Sequence, residues 1–212
     1  MTRTTLLTAS LIVALGATLG LNQRASAAPA SGHDMDMDMD MGSVDGLQTN
    51  FAHKDLVVLD KIAVPAAFAE ALGAAYQGYL EASDALVAAD IARLDAAATK
   101  MREAIEGVQA EQLDGAASAA WTGHKEVLST SLHQLTSASG VDAKREHFSH
   151  ISEAMYCALR SFGGVEQTVN VDFCPMAFDG KGAFWLSDSA VIANPYLGPD
   201  MATCGELKET IR

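Results

Sequence analysis

Between Ala63 and Phe162 apolar residues recur every three or four positions, and residues that start or stop helices divide this run into four. That period puts one face of a helix inward, unlike the two-residue alternation of a strand. Phe68, Leu72, Tyr76, Tyr79, Leu80, Leu86 and Val87 predict a first helix from Pro65 to about Ala89. Pro65 suits a first turn, where no N–H is missed. Asp90 reads as the N-cap of a second helix, marked by Ile91, Leu94, Ala98, Met101 and Ile105 and ending near Gly107. A third, from about Asp114 to Ser137, carries Trp121, Val127, Leu128, Leu132 and Leu135, and Gly140 closes it. Asp142 opens a fourth, with Phe148, Ile151, Met155, Ala158, Leu159 and Phe162 inward and "FGG" as its stop. Four such helices with short connections predict an all-α fold, an antiparallel four-helix up-down bundle.

After Phe162 the pattern changes. "TVNVDF" alternates and is rich in β-branched residues, and "GAFWL" after "DGKG" can pair with it. "NPY" and "GPD" signal turns. The expectation is an irregular C-terminal tail containing a short β-hairpin, with Phe184, Trp185 and Tyr196 packed on the bundle.

The other end of the chain speaks to location. Arg3 precedes an apolar stretch that is short and broken by Thr, Ser and Gly, and Ala25, Ser26 and Ala27 offer small residues to a signal peptidase. Residues 1–27 are therefore expected to be a signal peptide, with no membrane insertion once it is removed. Residues 28–60 read as a flexible Met/Asp-rich linker and lead-in, and 61–212 as the bundle with its tail. In the linker, Met35, Met37, Met39 and Met41 alternate with aspartates after His33. Aspartate disfavours sheets, so disorder is expected. Such a segment can collect Cu(I) weakly through thioethers, or Cu(II) through His33 and carboxylates. It can also be a plain acidic spacer, although Ser or Gly would serve that purpose with less oxidation risk.

The chain has 14 Lys+Arg against 27 Asp+Glu, a formal net charge of −13. Residues 1–27 hold two of the arginines and none of the acids, so the remainder carries −15. This charge repels nucleic acid and anionic lipid and favours cations as partners.

Three cysteines, Cys157, Cys174 and Cys204, allow at most one bridge. Cys174 and Met176 flank Pro175 and would point the same way on an extended strand. Met201 and Cys204 are three apart, a spacing that brings side chains together on a turn. Thiolate with thioether suits Cu(I) better than zinc or calcium. The same cysteines can instead form a disulfide, as an oxidising compartment encourages. The residues leave both readings open. His147 and His150, one turn apart on the fourth helix, could add a ligand; the plainer reading is solvated helix-face histidines, and His124 and His133 read the same way. No Ser/His/Asp set, His-Glu-x-x-His, phosphate loop or dinucleotide fingerprint is present, so no enzyme is expected.

The tail nevertheless resembles something known. "CPMAF" (Cys174 to Phe178), "GAFWL" (Gly182 to Leu186), "NPYLG" (Asn194 to Gly198), Met201, and Cys204 with Gly205 resemble the end of a bacterial periplasmic domain family of uncharacterised function. Its members occur as free exported proteins and as C-terminal extensions of adaptor subunits of copper/silver efflux pumps. "REHFSHISEAM" resembles that family's Arg-x-x-Phe-x-x-x-Ser stretch, and the likeness spans roughly residues 70–212. Leu197 stands where Phe is expected, and Cys157 lies outside the pattern. The resemblance implies a periplasmic protein that handles heavy metal, copper above all, with an efflux pump or adaptor as partner. The implied ligands are Cys174, Met176, Met201 and Cys204. A disulfide-stabilised interaction module with no metal site is the alternative.

Overall fold

The computed structural model describes residues 52–53 and 55–212. The expected signal peptide and the run holding His33, Met35, Met37, Met39 and Met41 lie outside the described residues. Four long helices come first: α1 (Ala66–Val87), α2 (Ile91–Glu106), α3 (Gly115–Ser137) and α4 (Val141–Phe162). A three-stranded antiparallel sheet follows, made of β1 (Val169–Cys174), β2 (Ala183–Ser187) and β3 (Glu206–Ile211) in the order β2-β1-β3. The protein is thus mostly helical with a small sheet. None of the described helices is long and apolar enough to cross a membrane.

Local chemistry explains most boundaries. Asp90 accepts a hydrogen bond from the Arg93 backbone N–H at 3.0 Å, which satisfies an otherwise unpaired donor at the start of α2. Gly163, at φ 67, ends α4 in a conformation that a side chain would oppose. At the α3–α4 corner the residues take roles other than those expected. Gly140 is the N-cap of α4, and Asp142 lies in its first turn, paired with Arg145 at 2.7 Å. Lys144 is buried there: its ammonium bonds Asp95 of α2 at 2.9 Å and the Leu135 carbonyl at the end of α3 at 2.8 Å. A cation at the last carbonyls of a helix also meets the negative end of its dipole.

The apolar faces build one core, in which α1 packs on α2 and α3 on α4. Phe68, Leu72, Tyr76, Leu94, Met101, Leu128, Phe148 and Met155 are all fully enclosed. Cys157 is enclosed as well, and burial pushes its thiol well above the ordinary range, so it is an inert part of the packing.

Two segments are more ordered than expected. Residues 52–53 and 55–60, read as the end of a flexible lead-in, are held on the bundle together with the start of the next segment. The N–H groups of Ala52 and His53 donate to the Glu153 carboxylate, Leu59 N–H to the Ser161 hydroxyl, and Ile62 N–H to the Ser161 carbonyl. The tail gains β3 beside the expected hairpin. Burial along that strand follows no apolar alternation, because its half-buried residues include Lys208 and Glu209. Glu209 accepts from the Tyr156 hydroxyl at 2.9 Å and pairs with Arg160 at 2.9 Å, so β3 docks on α4 through polar contacts.

The sheet meets the helices at a buried hydrogen-bond chain. The Tyr79 hydroxyl lies 2.8 Å from the Ser152 hydroxyl, which lies 3.0 Å from that of Tyr196. Tyr79 also accepts from Leu186 N–H, and Tyr196 donates to the Phe184 carbonyl at 2.6 Å. Phe184, Trp185 and Tyr196 are buried as expected: Phe184 meets Tyr156, Tyr196 meets Phe148, and Trp185 meets Tyr196.

Candidate functional site

Cys174 is the last residue of β1, opposite Ala183 of β2. Its side chain is fully buried. The strand stops there, because Pro175 cannot donate to the ladder and Met176 takes a right-handed helical conformation that begins a short turn, Ala177–Gly180. Phe178 and Asp179 in that turn hold φ of 53° and 58°, a strained choice for residues other than glycine. The extended geometry expected to aim Cys174 and Met176 the same way is therefore absent: Met176 is 59% exposed.

The segment after β2 carries Cys204 back to Cys174. Asn194 is fully buried and is its organiser. Its backbone N–H donates to Ala202, its side-chain amide to the Cys204 carbonyl at 2.6 Å, and its side-chain oxygen accepts from Tyr196 N–H. Arg145 fixes the same turn from α4 by donating to the Pro195 carbonyl at 3.1 Å. A 3-10 turn, Pro199–Met201, comes next, and Cys204 N–H donates to the Met201 carbonyl. The Asn-Pro-Tyr-Leu-Gly stretch thus acts as a folding device for the second cysteine.

The result is a contact of 3.1 Å between the Cys174 and Cys204 sulfurs, from residues 30 apart. Both thiols are free. Hydrogen bonding between the two raises the proton affinity of Cys204 above the usual thiol value. Of the four expected ligands the structure brings these two into contact, while Met176 and Met201, the latter 45% exposed, have surface side chains. Two adjoining thiols can give up their protons to solvent and hold a soft cation as thiolates, or lose two protons and two electrons to an oxidant and form a disulfide.

The histidines fall out differently. His133 is exposed, as expected. His124 is fully buried, which corrects the solvated reading, and its Nε2 donates to the Val57 carbonyl at 2.8 Å. Burial lowers its proton affinity, and the Val57 bond opposes that in part. His147 and His150 are half-buried rather than solvated, and each has a buried Nδ1 without a hydrogen-bond partner among the described residues. His150 faces His53 edge-on, with ring centres 4.8 Å apart. Burial first, then the neighbouring imidazoles, lowers its proton affinity.

One ligating atom each from His53, His150 and Glu153 lie within 4.8 Å of one another. Sequence reasoning named His150 but missed its two neighbours. Glu153 is three residues from His150, a helical spacing that puts both on one face. Nothing local marks His53, which the folded lead-in supplies. A cavity of about 240 Å³ runs beside this group, bounded by His150, Glu153 and Glu146 and by the Phe173, Phe178 and Phe184 side chains.

Residues 75–167 match a family model described as "Protein of unknown function (DUF3347)". The match runs from within α1 to the segment before β1, so both cysteines of the sulfur pair lie beyond it. No curated protein and no solved structure matches the chain.

Proposed function

We propose that this protein is an exported metal-binding protein that takes copper as Cu(I) at Cys174 and Cys204, for sequestration in the periplasm or delivery to an efflux system. The observation that carries this reading is the unbonded 3.1 Å thiol contact, formed by a dedicated turn between residues 30 apart. Thiolates are the strongest soft donors a protein has, and Met176 and Met201, two and three residues from the cysteines and exposed, would add thioether donors. The acidic surface favours a cationic cargo. The tail's resemblance to domains that accompany copper/silver efflux adaptors supports the same reading. An up-down antiparallel arrangement of the four helices gives the pair a rigid base.

Substituting Cys174→Ser or Cys204→Ser should weaken Cu(I) binding by more than the roughly 10–100-fold that loss of a mere supporting partner costs. Competition with a chromophoric Cu(I) chelator under reducing conditions measures it; unchanged affinity in both variants rejects the site.

The same contact favours a second reading, a disulfide that locks the tail of an interaction module without metal. Thiol counting in denaturant separates the two. Three free thiols in protein carrying copper support the metal reading; one free thiol in metal-free protein supports the bridge.

A further inference from the structure

We propose that His53, His150 and Glu153 form a binding site for a borderline divalent cation, Zn(II) or Cu(II), which joins the N-terminal lead-in to α4. The site shares no residue with the thiol pair and takes a different class of ion, so either proposal can fail without the other.

The donor set sets the class. Two imidazoles and a carboxylate suit zinc and cupric ions, whereas calcium and magnesium take oxygen ligands and Cu(I) prefers sulfur. The geometry is close to a ligating one. The three donor atoms lie within 4.8 Å of one another, and tetrahedral ligands at ordinary bond lengths stand about 3.3 Å apart. His53 sits on irregular backbone at the edge of the bundle, so a rotamer change on that residue can supply the closure.

The surroundings are those of a held ligand. Both Glu153 oxygens accept backbone N–H groups, from Ala52 at 2.8 Å and His53 at 3.1 Å. These bonds fix the carboxylate plane against the lead-in. They also bring His53 to His150 across some hundred residues of sequence, so the contact that docks the lead-in is the one that assembles the donors. His150 has a buried Nδ1 with no hydrogen-bond partner among the described residues, which leaves that nitrogen's lone pair available to a cation. The adjoining cavity leaves room for water at the remaining coordination positions, and Glu146, one helical turn before His150, lines it as a further oxygen donor.

The test uses the full chain in a C174S/C204S background, which removes the thiol pair from the measurement. Zn(II) affinity is read by competition with a chromophoric chelator, and Cu(II) coordination by electron paramagnetic resonance. H53Q and H150Q should each weaken Zn(II) at least tenfold and reduce the nitrogen coupling in the Cu(II) spectrum, while H133Q changes neither. Binding of one ion alone identifies the cation and sustains the site. Affinity and spectra indifferent to both His53 and His150 overturn it, as does a background protein that binds neither ion at micromolar concentration. His53 lies outside the helices, so H53Q keeps the test decisive should H150Q disturb the fold.

Discussion

Gly205, next to Cys204, occupies a position where only a hydrogen fits. Its φ is +149°, and a Cβ there would fall 2.6 Å from the Trp185 ring and 3.2 Å from the Phe173 carbonyl. Gly205→Ala should cost roughly 1–3 kcal/mol and part the two thiols, because Cys204 would move with its neighbour. Urea denaturation with thiol-reactivity measurements would show both effects together. His124 bears on acid stability. Burial keeps its imidazole neutral in the folded protein, with a proton affinity below the ordinary value of about 6.5. The unfolded chain binds that proton first, so stability present above about pH 6.5 is lost as pH falls. His150 shifts the same way. His124→Gln should therefore flatten the decline below pH 6.5, by up to about 1.4 kcal/mol per pH unit, in denaturation curves taken from pH 7 to 5. An unaltered slope would mean that another group dominates.

At the scale of elements, the helices were legible because each inward face is continuous and apolar, so period alone finds them. The observed ends fall within about two residues of the expected ones where a capping side chain marks the start, as at Asp90. β3 was not legible, since a strand that docks through Glu209 on Tyr156 and Arg160 carries no apolar alternation. The site was legible in part: spacing flagged both cysteines, but their partnership depends on Asn194, whose bonds reach across ten residues. The join between sheet and helices yields another expectation. Tyr79, Ser152 and Tyr196 come from α1, α4 and the Asn-Pro-Tyr turn, and removing one hydroxyl leaves buried partners unsatisfied. Tyr196→Phe should cost about 1–3 kcal/mol, and Tyr79→Phe a similar amount. The double variant should cost less than the two combined, because the bonds share Ser152. A double-mutant cycle by chemical denaturation checks this; strict additivity would show that the three hydroxyls do not act together.

For the molecule as a whole, Cys174 and Cys204 are the ends of a 30-residue loop that contains β2 and the Asn194 turn. Joining the sulfurs, through a bond or through a shared ion, restricts the unfolded chain far more than the folded one. Loop-closure entropy for that length amounts to about 3–4 kcal/mol. Oxidised or Cu(I)-loaded protein should melt roughly 10 °C above the reduced, metal-free form, and C174S should abolish the difference. Equal melting temperatures in scanning calorimetry would show that the pair closes nothing. A gain of that size multiplies the folded-to-unfolded ratio several-hundredfold. Proteases cut the open chain, so the time a copy survives comes to depend on what its two sulfurs have met. Under either reading of the pair, copies whose sulfurs remain unjoined would be cleared faster, with no separate sensor required.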